Sequence, residues 1–363
     1  MKIINVKLQE NSYPVYIENG IFDELVQLVE LKNLYKNLFI VLDKNVEKHF
    51  GTMIRHCFDA YDGKKYFYSF HAVEKSKSLE ELKKIYSALI EQKFGRDTLI
   101  IAIGGGITGD LAGFAAATFM RGVQVIHVPT TLIGCVDSAI GGKTAVNFNY
   151  YKNIIGSFYQ PKFVLCDTRF LTTLPAAEMA CGLGEIIKYA FTASKEYYNL
   201  VDKNLIAILS HDEKILEEII SHSINYKVAV VSQDEKELGL RKVLNFGHTF
   251  AHAFEKELKH KIKHGEAVIM GIACALFLSY KMKLLSRNKL DEFLMLPSKI
   301  KLGKALKTIN HERVYQRMSA DKKNIDSEIN FVLIRDIGEL VLDVHAPKIE
   351  VIVAIESALE LLI

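Results

Sequence analysis

Short β-rich runs and helical stretches alternate along the first half of the chain, and this alternation restricts the possible folds more than any other feature. Helical patterns such as Ile21–Glu30 and Leu79–Gln92 lie between the runs. The strand candidates are Ile3–Leu8, Val15–Ile17, Leu38–Leu42, Tyr66–Phe70, Leu99–Ile103, Val125–Val128 and Phe163–Cys166. The runs at Leu38 and Leu99 are apolar throughout, as expected for strands covered on both faces of a sheet. Alternation of this kind predicts a parallel sheet with right-handed crossovers.

The pattern changes after Leu174-Pro175, where helical periodicity takes over and Gly and Pro become rare. A chain of 363 residues exceeds the usual size of one domain, so two domains are expected. We therefore predict a Rossmann-like α/β domain at 1–174, with helices on both faces of its sheet, and a mostly α-helical domain at 175–363. The later elements are helices at Ala177–Thr192, Glu213–Val231, Thr249–Lys259, Glu266–Lys283 and Ile349–Leu361, and short strands at Ile329–Ile334 and Leu340–Leu342.

Composition excludes several classes of protein. The net charge is only +3 and no long Lys/Arg run occurs, which argues against a dedicated nucleic-acid binder. Five scattered cysteines without a C-x-x-C motif are typical of reduced thiols in a cytosol. The first residues alternate like a strand and lack the apolar core of a signal peptide, and nothing reaches the length of a membrane span. We expect a cytoplasmic protein without a membrane or nucleic-acid partner.

Four of the 12 histidines, namely His248, His252, His260 and His264, fall close together in a stretch with a helical pattern. Imidazole is the commonest ligand for a borderline metal at neutral pH. His248 and His252 are four residues apart and therefore share one face of a helix. A nearby carboxylate would complete a site with a coordination position left open. The alternative is that these are surface, helix-terminal or hydrogen-bonded core histidines.

A carboxylate for that site lies in Gly184-Glu-Ile-Ile-Lys-Tyr189. Glu185 and Lys188 are three residues apart and share a helix face. An exposed ion pair would explain them, but their neighbours are apolar, which favours a buried or cleft-facing pair. Glu185 is then the natural partner of the histidines.

A glycine-rich turn follows the strand Leu99–Ile103, in Gly104-Gly-Gly-Ile-Thr-Gly-Asp110, and an apolar helix comes next. Glycines let a ligand approach the backbone, and the N-terminus of a helix favours phosphate. By itself the turn does not establish a nucleotide site, and an ordinary tight turn is the alternative. Together with the doubly wound pattern, the turn favours the pyrophosphate of a dinucleotide.

The segment Gly141-Gly-Lys-Thr144 is similar to the end of a P-loop, but the first glycine of that motif would fall at Asp137. An ATPase or kinase is therefore disfavoured. Basic and polar residues in this loop-prone region suit a small anionic substrate. They are Arg121, Asp137, Lys143, Lys152 and Asn153.

These segments together resemble the 3-dehydroquinate synthase family, within the group of sugar-phosphate cyclases. Order and approximate spacing match that family over most of the chain. The matching motifs are Gly-Gly-Gly-x-x-Gly-Asp at 104–110, the Arg121 segment, Val-Pro-Thr-Thr at 128–131, Val-Asp-Ser-x-x-Gly-Gly-Lys-Thr-Ala-Val-Asn at 136–147, Lys-Asn-x-Ile-Gly at 152–156, Gly-x-x-Glu-x-x-Lys-Tyr at 182–189, Arg241 with Asn-Phe-Gly-His-Thr at 245–249, His-Gly-Glu-Ala-Val at 264–268 and Asp-Lys-Lys at 321–323.

The resemblance implies a role for each matching residue. Implied metal ligands, for zinc with cobalt as a substitute, are Glu185, His248 and His264. Implied NAD contacts are Glu74, Lys75, Ser76, Lys77, Gly105, Gly106, Ile107, Thr108, Gly109, Asp110, Thr130, Thr131, Lys143, Lys152, Phe170, Leu171, Thr172 and Thr173. Implied contacts of the substrate phosphate are Arg121, Lys152, Asn153, Arg241, Lys322 and Lys323. Implied catalytic residues are Asp137, Lys143, Lys188, Lys227, Asn245 and His252, the last either as a proton relay or as a partner that orients a metal ligand.

The implied activity is that of a carbon–oxygen lyase of the shikimate pathway. It would convert 3-deoxy-D-arabino-heptulosonate 7-phosphate into 3-dehydroquinate and phosphate, with NAD oxidising C5 and then returning the hydride before an aldol ring closure. A homodimer is expected by the same resemblance. Three alternatives remain: a sister cyclase acting on another sugar phosphate, a metal-dependent dehydrogenase of the glycerol-dehydrogenase type, and a non-catalytic relative. The 3-dehydroquinate synthase activity is favoured over that of a sister cyclase by Arg241, Asn245 and the Lys152-Asn153 pair.

Overall fold

The computed structural model of the protein describes residues 1–149, 151–235, 239–259, 261–319 and 329–363. They form two compact units, Met1–Met179 with Ser210–Ser232, and Ala180–Leu209 with Gln233–Ile363. The single boundary expected after residue 174 differs from this grouping. The segment 210–232 lies with the first unit, and Glu217 in it accepts a hydrogen bond from the backbone N–H of Asn19 at 2.9 Å.

Eleven strands are formed by the described residues: β1 (Lys2–Val6), β2 (Tyr13–Ile17), β3 (Asn37–Asp43), β4 (Lys65–Phe70), β5 (Thr98–Gly104), β6 (Gln124–Pro129), β7 (Lys143–Phe148), β8 (Tyr151–Phe158), β9 (Val164–Cys166), β10 (Phe331–Asp336) and β11 (Glu339–Val344). The α-helices over the same ranges are α1 (Leu25–Leu31), α2 (Lys44–Cys57), α3 (Leu79–Glu91), α4 (Gly106–Thr118), α5 (Ala176–Thr192), α6 (Lys195–Leu209), α7 (Glu213–Gln233), α8 (His248–Glu257), α9 (His264–Lys281), α10 (Arg287–Ser298), α11 (His311–Ser319) and α12 (Lys348–Leu362).

A seven-stranded sheet in the order β1-β2-β9-β6-β5-β3-β4 forms the centre of the first unit. Only the β1–β2 pair is antiparallel, and the remaining pairs are parallel. Leu38 and Ile40 pack with α1 and α2 on one face, whereas Phe39 and Val41 pack with α3 and α4 on the other. The predicted α/β class, a mainly parallel sheet with helices on both faces followed by a helical region, is confirmed.

A hairpin of β7 and β8 occupies the region that the sequence analysis treated as loop-prone. The two strands pair antiparallel from Lys143 opposite Phe158 to Phe148 opposite Tyr151. Their approach at Gly156 is so close that a Cβ there would lie 2.0 Å from the carbonyl oxygen of Thr144. The loop prediction was therefore wrong for Lys143–Phe148 and Tyr151–Phe158, since their glycine marks the close approach of two paired strands.

The second unit is mainly helical, with α9 buried along most of its length. β10 and β11 correspond to the two late strands that were predicted, and they pair antiparallel. Ser279 on α9 accepts a hydrogen bond from the backbone N–H of Ile334 at 3.1 Å, which attaches β10 to this helix. Among the described residues, no helix is both long enough and apolar enough to cross a membrane.

Candidate functional site

Three side chains from three helices converge in the second unit. Glu185 lies on α5, and His248 and His264 are the first residues of α8 and α9. Glu185 Oε1 is 3.3 Å from His248 Nε2 and 3.2 Å from His264 Nε2. One ligand atom from each residue lies within 4.8 Å of the others, so the group could hold a metal ion. Two imidazole nitrogens and a carboxylate oxygen are a common donor set for catalytic zinc.

Glycine contacts between helices bring these three residues together. A Cβ on Gly184 would lie 2.5 Å from the Cα of Gly265, and a Cβ on Gly265 would lie 2.1 Å from the carbonyl oxygen of Cys181. The crossing of α5 and α9 therefore requires glycine on both helices, directly beside Glu185 and His264. A second contact of this kind joins α9 to α8, since a Cβ on Gly271 would lie 2.2 Å from the carbonyl oxygen of Gly247.

Lys188 pairs with the same carboxylate. Its Nζ donates to Glu185 Oε2, and the Lys188 residue is only 2 % exposed. Lys188 Nζ also lies 4.5 Å from the centroid of the Tyr189 ring. The pair is thus buried, as the apolar neighbours in the sequence favoured, and Glu185 is shared between a cation and two imidazoles.

The pKa values within this cluster depart from their ordinary ranges in different directions. Burial by itself raises the pKa of Glu185, but Lys188 and His248 outweigh it and hold that pKa well below the usual value. Burial lowers the pKa of His248. Burial also acts to lower the pKa of His264, but Glu185 and Glu255 reverse this and raise that pKa to about 10. A metal ligand must be a neutral imidazole, so metal binding here would release a proton from His264.

His252 is not one of the three converging donors. Its ring centroid lies 5.5 Å from that of His248, one turn earlier on the same helix face. Arg241 and Asn245 precede α8 in a 3-10 segment. Arg241 is 2 % exposed, its backbone N–H donates to Asp234 at 3.0 Å, and its guanidinium donates to the carbonyl oxygen of Glu235.

In the first unit, the glycine turn forms a narrow cradle between β5 and α4. A Cβ on Gly104 would lie 2.4 Å from Thr108 Oγ1, and one on Gly105 would lie 2.9 Å from Thr131 Cγ2. A cavity beside the turn is lined by Gly104–Gly106, Gly109, Asp110, His127 and Lys143, among others.

Three buried polar atoms around this turn have no hydrogen-bond partner among the described residues: Thr108 Oγ1, His127 Nδ1 and Thr130 Oγ1. Buried polar atoms are normally satisfied. The turn begins α4, whose first N–H groups can receive an anion. The unsatisfied atoms and the glycine cradle both fit a bound dinucleotide.

A network of polar residues borders the cradle. Lys77 pairs with Asp110 and donates to Asn153 Oδ1. Asn147 donates to Glu74 Oε1 at 2.8 Å, and its Oδ1 accepts from the backbone of Asn153 at 3.0 Å. Two of the predicted NAD contacts at 74–77 are therefore joined to the β7–β8 hairpin, and Lys77 also joins this network to Asp110 of α4.

The remaining predicted residues of the first unit lie in varied positions. Lys227 on α7 donates to the backbone oxygen of Asp137 at 2.6 Å and to its carboxylate at 2.5 Å. Lys152 Nζ is 4.0 Å from Glu74 Oε1. Arg121 is exposed, with a left-handed φ of 67°. The side chains of Phe170 and Leu171 lie in the core, with Phe170 5.3 Å from the ring of Phe22, so this segment would contact a ligand through its backbone or its threonines.

Some residues of the prediction lie outside the described part of the chain, namely His260, Lys322 and Lys323. Four further determinants of the site were not predicted from the residue pattern, namely Gly184, Gly265, Glu255 and Asn147. Each was present in a matching segment or beside one, but only the packing of distant helices and strands reveals their contacts.

Comparison with known proteins identifies the family. Residues 67–181 match the model of the 3-dehydroquinate synthase N-terminal region, and residues 182–324 match that of the C-terminal region. The chain is 40% identical over 350 residues to the 3-dehydroquinate synthase of Pelagibacter ubique, covering 93% of this chain and 94% of that protein.

Two solved structures share the fold over almost the whole chain. A 2-deoxy-scyllo-inosose synthase complexed with carbaglucose-6-phosphate, NAD+ and Co2+ superposes with a TM-score of 0.88 at 24% identity, covering 98% of this chain and 99% of the other. The 2-epi-5-epi-valiolone synthase from Streptomyces hygroscopicus, with NAD+ and Zn2+ bound, gives a TM-score of 0.87 at 25% identity, with 98% of each chain covered. On the two family models and the full-length similarity, this chain belongs to the 3-dehydroquinate synthase family.

Proposed function

We propose that the protein is a 3-dehydroquinate synthase that converts 3-deoxy-D-arabino-heptulosonate 7-phosphate into 3-dehydroquinate and phosphate. The observation that carries this proposal is the convergence of Glu185, His248 and His264 in a chain of this family. The 40% identity to a curated synthase over 350 residues favours this reaction over that of the cyclases at 24% and 25%.

The proposed cofactors are NAD and a divalent metal, zinc or cobalt. When bound, the metal would polarise substrate hydroxyls and NAD would accept and return one hydride. Glu185, His248 and His264 would hold the metal. The glycine turn Gly104–Asp110, with Thr130 and Thr131, would hold NAD, as the unsatisfied Thr108 and Thr130 hydroxyls support.

The substrate phosphate needs several cationic and amide donors, because phosphate develops negative charge as it leaves. We assign this role to Arg121, Lys152, Asn153 and Arg241, with Lys322 and Lys323 on sequence grounds alone. The buried position of Arg241 and the hydrogen bond from its guanidinium to the carbonyl oxygen of Glu235 would hold the guanidinium in place, which favours exact placement of an anion.

The remaining catalytic assignments follow from position within each unit. Lys227 is oriented by Asp137, and Lys188 by Glu185, so each ammonium is held in one place before substrate arrives. Lys143 lines the cavity beside the glycine turn. Asn245 and His252 flank His248 in sequence, and His252 would relay a proton. We further propose a cytoplasmic homodimer, which sedimentation of the purified protein would test.

The decisive experiment incubates the purified protein with the heptulosonate phosphate, NAD and zinc, and measures phosphate release together with absorbance of NADH. We expect phosphate and 3-dehydroquinate in equal amounts, no accumulation of NADH, and loss of activity on treatment with a chelator. Glucose 6-phosphate, sedoheptulose 7-phosphate and glycerol are the comparison substrates. Turnover of one of these, with none of the heptulosonate phosphate, would instead identify a sister cyclase or a dehydrogenase.

A further inference from the structure

A buried carboxylate outside the proposed ligand set lies against the metal-binding cluster. Glu255 is on α8, seven residues after His248, so the two side chains project from one face of the helix two turns apart. Glu255 is only 6 % exposed. A carboxylate is seldom buried without a cation or a strong donor beside it, so this position needs a reason.

The neighbour of Glu255 is the ring of His264. Glu255 Oε2 lies 3.6 Å from Nδ1 of His264, while Nε2 of the same ring lies 3.2 Å from Oε1 of Glu185. The imidazole thus lies between two carboxylates, one at each nitrogen. A carboxylate at this ion-pair distance from Nδ1 favours, through its charge, the tautomer with the proton there, which leaves the Nε2 lone pair for a metal.

The charges of the cluster also require a second carboxylate. Lys188 and Glu185 are both buried and their charges cancel. With neutral imidazoles, the remaining cluster would offer no net charge to an incoming dication. Once His264 has lost its proton, the Glu255 carboxylate makes the whole group negative, which matters most where water is excluded.

We propose that Glu255 is a positioning residue of the metal centre, which fixes the ring of His264 with Nε2 toward Glu185 and supplies the negative charge that attracts the cation. This rests on the proposed function only in requiring a divalent metal at Glu185, His248 and His264.

If Glu255 had only a structural role, it would join two helices through an ion pair. Glu257, two residues further along α8, has such a role: its Oε2 lies 3.2 Å from Nε of Arg317 on α11, and its Oε1 lies 3.8 Å from Nη1 of Arg313. Its side chain is 11% exposed against 8% for Glu255, so it provides a matched control on the same helix.

The test measures zinc affinity of the metal-free protein by competition with a chromogenic chelator, for the parent and for Glu255→Gln, Glu255→Leu and Glu257→Gln. Glu255→Gln keeps an acceptor but loses the charge, and we expect zinc binding about 10-fold weaker. Glu255→Leu loses both the acceptor and the charge, and we expect zinc binding about 100-fold weaker, which is the upper end for losing such a partner. The Glu257→Gln variant should bind zinc like the parent.

A spectroscopic readout accompanies the affinities. The visible spectrum of the cobalt-substituted protein should change in both Glu255 variants and remain that of the parent in Glu257→Gln, because only Glu255 acts on a ligand. Parent-like zinc affinity and cobalt spectra in Glu255→Gln would overturn the proposal, even if Glu255→Leu failed to fold. Absence of zinc binding by the parent would reject the metal centre itself, and no turnover in a zinc-binding parent would reject only the proposed reaction.

Discussion

At the scale of single residues, the buried pair of Glu185 and Lys188 is the most consequential contact of the second unit. Both side chains are almost completely buried, so neither charge can be solvated alone. The pair leaves one carboxylate oxygen, Oε1, facing the two imidazoles. Lys188 therefore stabilises the ionised carboxylate before a metal arrives and then competes with that metal for it.

Replacing Lys188 by Met should affect the metal-free and the metal-bound protein differently. The metal-free variant retains a buried, uncompensated carboxylate, and we expect its free energy of unfolding to fall by about 3 kcal/mol. Zinc would supply the missing positive charge, so the stabilisation by zinc should be larger in the variant than in the parent. Urea unfolding with and without zinc measures both effects.

Lys195→Met is the control for this variant, because Lys195 pairs with Glu292 on the surface and both side chains are about half exposed. Its stability should change by less than about 1 kcal/mol with or without zinc. Equal zinc stabilisation in the parent and in Lys188→Met would show that Lys188 does not act on the metal-binding carboxylate.

The two histidines nearest His248 should respond differently to removal. His264→Ala removes one of the three converging donors, so zinc affinity should fall by more than the roughly 100-fold typical of losing an outer partner. His252→Ala should keep zinc affinity within a few-fold and reduce turnover. Metal content after dialysis, together with turnover, distinguishes the variants. Zinc loss in His252→Ala with retention in His264→Ala would restore the spacing hypothesis.

That hypothesis shows how far residue spacing alone can lead. The spacing of four residues correctly predicted that His248 and His252 are neighbours on one helix face, and their ring centroids lie 5.5 Å apart. A metal needs donors that converge from several directions, however. Here the donors lie on three helices, and His264 is the first residue of one of them. The family resemblance gave this set, whereas helix periodicity could not, because the contact depends on how α8 and α9 pack.

At the scale of secondary-structure elements, the crossing of α5 and α9 determines whether the site can form. Gly265→Ala would place a Cβ 2.1 Å from the carbonyl oxygen of Cys181, a backbone atom that cannot rotate away. We expect the helices to separate, with a loss of about 1–3 kcal/mol in stability and weaker zinc binding as Glu185 moves from His264. Thermal unfolding and chelator competition measure the two effects.

Gly51→Ala is the matched control, since Gly51 lies within α2 and an added Cβ would meet its nearest atom, Glu47 Cγ, at an ordinary 3.4 Å. Alanine is the better helix former, so this variant should be at least as stable as the parent. If Gly265→Ala behaved like Gly51→Ala, the glycine crossing would not be what brings the ligands together.

Prediction of elements from the sequence succeeded where burial leaves a strong pattern. The apolar runs at Leu38 and Leu99 became β3 and β5, because strands covered on both faces must be apolar throughout. The β7–β8 hairpin was missed, since its glycine and exposed residues resemble a loop and only β7 has buried residues, at alternate positions. The Gly184–Gly265 contact joins residues far apart in sequence, and no local pattern encodes it.

At the scale of the whole molecule, two histidines give stability a pH dependence of opposite sign. The pKa of His264 is raised to about 10, so in the metal-free protein its contribution is fully present below the unfolded value near 6.5 and is lost as pH rises through 10. The pKa of His127 is lowered to about 4 by burial. The ring is neutral in both the folded and the unfolded protein above pH 6.5. As pH falls from 6.5 toward 4, protonation of the unfolded protein lowers the free energy of unfolding.

Replacing His127 by Gln should therefore flatten the acid side of the stability profile. Between pH 7.5 and pH 5 this histidine becomes protonated in the unfolded parent but not in the folded parent. The free energy of unfolding therefore falls by about 2 kcal/mol, because pH 5 lies about 1.5 units below the unfolded pKa and each unit contributes about 1.36 kcal/mol. Glutamine does not titrate, so the variant should lose about 2 kcal/mol less than the parent over this range. Urea unfolding of the metal-free parent and variant at both pH values gives the comparison. Subtracting the change in the variant from that in the parent cancels the contributions of the carboxylates and of the remaining histidines. Parallel profiles would mean that His127 is protonated in the folded protein, and hence that the cavity beside the glycine turn admits enough water to solvate its charge.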